Sequence, residues 1–291
     1  MIPRFAHARP GSLVEAFAAF DAAGGDAAWY AGGTELLQVM KMGLARFGTL
    51  VDLKRIPELG GISRDEAGGL VIGGTVTHRE IERSAVVRAA EPALAALAAQ
   101  VANPRVRNQG TLGGNLCFAE PHSDPATFLL AAGARLDLRG PSGRREVAID
   151  EFLVGPFATT RAADEILAAV VVPAAGAGEG RAYEKIVFRE RPAVSVAVGV
   201  RVADGAIVEA RVVVGSMTDV PAVVADAGAA LAGSPADGET AETSLAAAVD
   251  ALARLPAEDD LDGSADYKRH LAGVLLRRAV RAAVSEAVAG A

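Results

Sequence analysis

Residues 30–39 read YAGGTELLQV, and the order of residue types in this stretch sets the architecture around it. Ahead of it, Ala27 to Ala31 is an apolar, strand-like run. Behind it, TELLQVMKMG (34–43) has the composition of a short helix ending at Gly43. Adjacent glycines, Gly32 and Gly33, lie between the two. Glycine accepts positive φ and leaves the backbone bare, so successive N–H groups can point into one concavity that suits an anion. The helix start at Thr34 and Glu35 adds the unpaired N–H groups of a first turn. GTLVDL (48–53) reads as the next strand. SLVEAFAAFDAAGG (12–25) reads as the preceding helix, with a capping box from Ser12 to Glu15 and a stop at Gly24-Gly25. Strand, glycine turn, helix and strand make one compact α/β unit.

A second bend of the same kind is TLGGN, Thr111 to Asn115, again paired glycines after a stretch read as extended. Thr34, Thr111 and Asn115 add side-chain hydrogen bonding to the two bends. Gly-Gly is common punctuation, and the competing reading of either bend is an ordinary tight turn. Neither bend matches G-x-x-x-x-G-K-[ST] or G-x-G-x-x-G, so neither a P-loop nor a Rossmann site is supported. Spacing alone leads to a phosphate or pyrophosphate site built from backbone amides.

From Pro57 the chain reads strand (GLVIG, 69–73), a helix start at Thr77, and a long apolar helix in EPALAALAAQVA (91–102) stopped by Asn103-Pro104. A hairpin around Gly140 to Gly143 and a buried strand, EILAAVVVP (165–173), follow. The linker is AAGAGEG, Ala174 to Gly180. Beyond it come three strands, AYEKIVF, VSVAVGVRV and AIVEARVVVGSM, the last two joined at Asp204-Gly205, then helices from about Pro221, Thr243 and Asp266. This order fits a three-stranded antiparallel sheet with helices on one face.

The chain has 291 residues, enough for two domains, and a net charge of −7, which argues against a nucleic-acid surface. Its single cysteine, Cys117, excludes an internal disulfide framework and any iron–sulfur cluster held by this chain alone. The histidines, His7, His78, His122 and His270, have no metal-ligand spacing. No apolar run resembles a signal peptide or a membrane span, so a cytoplasmic protein is expected.

With both bends in place, the sequence resembles the FAD-binding medium subunit of molybdenum hydroxylases, the family of carbon monoxide dehydrogenase and xanthine dehydrogenase flavoproteins. The resemblance is carried by YAGGTELLQVMK, NPRVRNQGTLGGNLCFAEPHSDPATFLLAAGA, YEKI and GSADYKRHLAGVLLRRAV, in the family's order over nearly the whole length. It implies an α+β fold: a two-part FAD-binding domain (PCMH or vanillyl-alcohol-oxidase-like) over 1–175, with parts of about 1–56 and 57–175, then a C-terminal flavoprotein domain over 181–291.

The resemblance also implies FAD contacts. Gly32, Gly33, Thr34 and Glu35, flanked by Ala31 and Leu36, line one pyrophosphate loop, and Thr111, Gly113, Gly114 and Asn115 the other. Asp124 holds ribose hydroxyls, Ile166 or Leu167 touches a ring, and Lys185 sits near the isoalloxazine edge. The plainer readings are a helix N-cap for Asp124, a core residue for one of Ile166 and Leu167, and a surface charge for Lys185. His122, beside Ser123 and Asp124, reads as a solvated loop histidine. One departure stands out: relatives carry an Asp downstream of the equivalent of Lys185, where RERPAVSVAV (189–198) has none, and Tyr183 is no obvious substitute.

The implied function is electron transfer without catalytic or metal-binding residues in this chain. [2Fe–2S] clusters and molybdopterin belong to a small and a large partner subunit, assembled as a dimer of heterotrimers. The alternatives are a stand-alone FAD-dependent oxidoreductase of the same fold, or a scaffolding subunit that has lost its cofactor.

Overall fold

A computed structural model describes residues 2–189, 191–236 and 242–290. The chain forms two compact units, Met1–Phe118 with Arg135–Val172, and Ala119–Ala134 with Pro173–Ala291. The segment 119–134 therefore groups with the C-terminal stretch and not with its sequence neighbours, which a single cut near residue 175 does not anticipate.

In the first unit a parallel sheet is ordered Ala6–Ala8, Thr49–Asp52, Ala27–Tyr30. The helix Leu13–Ala22 covers it, burying Ala16 with Ala27, Val51 and Ile56, while Phe20 stacks on Trp29 at 4.2 Å. Ser12 caps the Glu15 amide as expected, but the Glu15 carboxylate takes the Gly11 amide instead of closing the box on Ser12. A five-stranded antiparallel sheet follows, ordered Ile62–Arg64, Leu70–Gly73, Ile166–Val172, Arg135–Gly140, Gly143–Ala148. Ile166–Val172 is its central strand, which accounts for its continuous apolar reading. The apolar helix is shorter than its composition suggests: it runs Pro92–Ala98, and Asn103 caps a separate turn, Pro104–Arg107.

The second unit holds an antiparallel sheet ordered Glu179–Val187, Pro192–Ala203, Ala206–Gly215, Ala222–Val223. The expected three strands are thus joined by a fourth of two residues, too short to register as a pattern. The helices Ala225–Leu231, Glu242–Leu252 and Ala265–Ala289 pack on one face, where Val194, Val196, Val198 and Val200 meet Leu275, Leu276 and Val280. The expectation of helices on one face only is corrected by the helix Asp124–Ala131, which lies on the other. Alternate residues of a strand point to opposite faces, and VSVAVGV alternates valine with small residues for that reason. Ser195 Oγ lies 3.4 Å from Thr127 Oγ1, and a Cβ on Gly199 would come within 3.3 Å of the Ala131 carbonyl. Among the described residues no helix is long and apolar enough to cross a membrane.

Candidate functional site

The first bend leaves the carboxyl end of Ala27–Tyr30, beside the carboxyl end of Thr49–Asp52, with Tyr30 opposite Asp52. Open α/β sheets bind ligands at this end of their strands. Gly33 adopts φ 69°, and its carbonyl takes the Leu37 amide to begin the helix Leu36–Met42, for which Glu35 is the N-cap residue. Gly43, left-handed at φ 79°, ends that helix as expected. The amides of Gly32, Gly33 and Thr34 meet no acceptor among the described residues.

The second bend differs. The sequence reads as a glycine turn between extended stretches, but Leu112–Phe118 is a helix with Gly113 and Gly114 in its first turn. Thr111 supplies the reason: its Oγ1 accepts from the Gly114 amide at 3.1 Å and its carbonyl from Asn115 at 2.9 Å, so the threonine acts as a cap. The remaining amides are taken by backbone. Leu112 N–H donates to Val76 at 2.9 Å, Gly113 N–H to Gly74 at 3.1 Å, and Gly74 N–H to Ala168 at 2.7 Å. A Cβ on Gly113 would lie 2.6 Å from the Gly74 carbonyl, and one on Gly74 would overlap the Leu167 carbonyl. The second bend is therefore a platform of stacked backbones, and Gly73-Gly74 is part of it. That pair escaped sequence reasoning, although GLVIGGTVT holds a third pair of adjacent glycines of the kind read at the two bends.

The two bends touch. A Cβ on Gly32 would overlap the Gln109 carbonyl and lie 2.8 Å from Gly110 Cα, while Thr34 Oγ1 is 3.5 Å from the position of a Gly110 Cβ. Ala31 to Leu36 and Thr111 to Asn115 thus form one locality, with donors on one side and a rigid seat on the other. Ile166 and Leu167 are both buried, and Ile166 belongs to the apolar cluster with Ala16 and Val51. Leu167 is not in that cluster, and its backbone carbonyl lies against Gly74. Cys117 lies in the helix of the second bend, its thiol pushed up by burial.

Asp124 and Lys185 belong to the second unit and meet there. Asp124 is the first residue of its helix, followed by Pro125, and is not the cap. Lys185 Nζ donates to Asp124 Oδ1 at 2.9 Å, and the Tyr183 hydroxyl donates to the same oxygen at 2.5 Å. The Lys185 and Asp124 side chains are each only 7 % exposed, so Lys185 is no plain surface charge although its strand is at the sheet edge. Burial pushes the Asp124 carboxyl up, with Lys185 and Tyr183 acting against that shift. Burial, with the Asp124 charge beside it, pushes the Tyr183 phenol well up and keeps it a neutral donor. Tyr183 thus takes a place in this cluster that its sequence context did not suggest. His122 is half-buried and tied to Glu120, Nδ1 to Oε1 at 2.9 Å, while Arg191 holds the other Glu120 oxygen at 2.6 Å. Arg191 belongs to the 189–198 stretch, of which Glu190 lies outside the described residues.

His78 supports the seat of the second bend: its amide donates to the Gly110 carbonyl at 3.0 Å, and its ring lies under Gly110. Its Nδ1 is buried with no hydrogen-bond partner among the described residues. Burial, helped by Arg107, depresses its pKa from 6.5 to about 4. The folded chain thus refuses a proton that the unfolded chain accepts. This contribution to stability is complete above pH 6.5 and is lost as pH falls through about 4, about 3 kcal/mol in all. Thermal unfolding followed from pH 7 to pH 4 is expected to show a downward slope that His78→Gln flattens. An unchanged slope in the variant would assign the loss to other groups.

Residues 3–175 match the family described as FAD binding domain in molybdopterin dehydrogenase, and residues 189–283 match the CO dehydrogenase flavoprotein C-terminal domain. These two matches define an FAD-binding flavoprotein of the oxidoreductase class. The carbon monoxide dehydrogenase medium chain of Hydrogenophaga pseudoflava is 35 % identical over 97 % of each chain. The nicotine 6-hydroxylase medium subunit of Paenarthrobacter nicotinovorans is 34 % identical over 96 % of this chain and 97 % of that one. The structure of a Hydrogenophaga pseudoflava carbon monoxide dehydrogenase lacking the Mo-pyranopterin moiety superposes with a TM-score of 0.92 at 36 % identity, over 98 % of this chain and 99 % of that chain. The chain belongs to the family of FAD-binding medium subunits of multi-subunit molybdenum hydroxylases.

Proposed function

We propose that this chain is the electron-transfer subunit of a heterotrimeric molybdenum hydroxylase, relaying electrons from the [2Fe–2S] clusters of a small partner subunit through FAD to an external acceptor. The observation that carries the proposal is the set of donors at Gly32, Gly33 and Thr34, unpaired among the described residues and seated against a rigid second bend. Such a set fits the oxygens of a diphosphate bridge. Bound FAD supplies two-electron and one-electron redox chemistry, while the protein binds, orients and tunes it.

In this reading Ala31 to Leu36 provide backbone donors to the diphosphate. Thr111, Gly113, Gly114 and Asn115 seat it, with Thr111 and Asn115 adding side-chain contacts. Asp124 and Lys185 contact the ribose and the flavin edge, and Leu167, more than Ile166, a ring. No residue is assigned an acid–base or nucleophilic step: His122 is held by Glu120, and the Cys117 thiol is kept protonated by burial. One cysteine cannot ligate an iron–sulfur cluster. Among the described residues no three His, Cys, Asp or Glu side chains are grouped to hold a metal. The clusters and the molybdopterin are therefore assigned to a small and a large partner subunit, in a cytoplasmic dimer of heterotrimers. Substrate choice would rest with the molybdenum subunit, leaving carbon monoxide, a purine or an N-heteroaromatic compound as candidates.

Purification of the native complex, with its subunits, metals and flavin determined, tests this directly. Stoichiometric FAD on this chain, with iron and molybdenum on two others, is expected. Substrate-dependent flavin reduction by the isolated chain would instead indicate a stand-alone oxidoreductase, and a chain unable to take up flavin would indicate a scaffold.

A further inference from the structure

The Ala31 carbonyl, at the start of the first bend, accepts from Lys54 Nζ at 3.0 Å. In a trans peptide the carbonyl and the next N–H point in opposite directions. Holding Ala31 O from behind therefore fixes the direction of the Gly32 N–H, one of the three donors without an acceptor among the described residues. Lys54 is itself held. Its ammonium lies 2.8 Å from Asp52 Oδ1 and 3.9 Å from the centre of the Tyr30 ring.

Asp52 is buried, accepts the Lys54 backbone amide at 3.1 Å, and pairs with His7 Nε2 at 3.2 Å. Burial alone would raise its carboxyl; the Lys54 and His7 contacts outweigh this and hold it below the ordinary range. Tyr30 fills the space into which a Gly33 side chain would project. Parallel pairing of Ala27–Tyr30 with Thr49–Asp52 places all these groups at one sheet end. The bend is thus gripped from two sides, by the 109–110 backbone at Gly32 and by Tyr30 and Lys54 behind it.

We infer that Lys54 is a positioning residue for diphosphate binding: seated on Asp52 and Tyr30, it locks the Ala31–Gly32 peptide so that the Gly32 N–H is presented to a diphosphate oxygen. The inference rests on the FAD reading above and adds a residue outside both glycine bends. A cation on the carbonyl end also polarises the peptide and strengthens its N–H as a donor. Asp52 balances the Lys54 charge, so the effect acts through the peptide and not through long-range attraction.

The test uses the full chain stripped of flavin, as wild type, Lys54→Met and Lys54→Arg, titrated with FAD and with ADP at low and high ionic strength. Lys54→Met is expected to weaken both ligands by about tenfold, one charge-assisted hydrogen bond in effect. That ratio should hold at both salt concentrations, and Lys54→Arg should recover most of the affinity, together with any melting temperature that Lys54→Met loses by stranding the buried Asp52 carboxylate. Wild-type affinity in Lys54→Met would overturn the inference. A loss accompanied by a lowered melting temperature and no rescue by arginine would also overturn it, by assigning Lys54 a structural role. A wild-type chain that binds neither ligand would overturn the FAD reading itself.

Discussion

Replacing Gly32 with valine is expected to yield a folded, colourless protein. The side chain of residue 32 would project onto the Gln109 carbonyl and to within 2.8 Å of Gly110 Cα, and both are backbone. No rotamer change relieves such an overlap, so the two bends must separate. The Gly32, Gly33 and Thr34 donors would then move relative to their seat, and hydrogen bonds weaken steeply once distance and angle are lost. Loss of two charge-assisted bonds amounts to about 3 kcal/mol or more, a hundredfold or greater fall in FAD affinity.

Gly33→Val should act similarly for a different reason. Its φ of 69° is costly for a side chain, and the Tyr30 ring occupies the space. Gly114→Val should be milder, because its Cβ would meet only the Thr111 hydroxyl, at 2.8 Å, which can turn away at the cost of the cap. Flavin absorbance per protein, with circular dichroism as the check on folding, measures all three. Full flavin content in Gly32→Val would remove the two-bend account of diphosphate binding.

The first bend was legible because its residues carry their reason locally: strand, Gly-Gly, helix start and a C-terminal Gly43 lie within seventeen residues, 27–43. The second was marked by its paired glycines, but its structure was not legible. Thr111 turns TLGG into a capped helix, and the partners that consume its amides, Val76 and Gly74, lie far back in the chain. The central strand Ile166–Val172 and the hairpin at Gly140–Gly143 were readable from periodicity and turn chemistry.

The helix Asp124–Ala131 was expected as a helix, but its place on the second face of the C-terminal sheet was not, because it precedes that sheet by some fifty residues. The local sign of that packing was present in Ser195, Ala197 and Gly199, whose small size admits a close helix. The Asp124–Tyr183–Lys185 cluster depends on the same long-range placement. A pattern read over short windows carries no information on which distant carboxylate a lysine will meet.

Asp124→Ala should cost stability as well as flavin, and the two losses are separable. The substitution removes the carboxylate that lies 2.9 Å from the Lys185 ammonium and also accepts the Tyr183 hydroxyl, in a cluster whose acid and base side chains are 7 % exposed. Breaking a buried ion pair from one side typically costs about 3–5 kcal/mol, because the remaining charge stays in a poorly solvating place. For a chain of this size that is a fall of roughly 10 °C in melting temperature.

Removing both charges, as in Asp124→Ala with Lys185→Met, should restore most of the lost stability, since a pair replaced by apolar groups is often near neutral. Flavin affinity gives the second readout. If Asp124 and Lys185 contact FAD, the double variant recovers its melting temperature while its flavin affinity stays low. If the pair only braces the Asp124–Ala131 helix against the strand Glu179–Val187, affinity returns with stability. That result would withdraw both residues from the cofactor site while leaving the glycine bends in place.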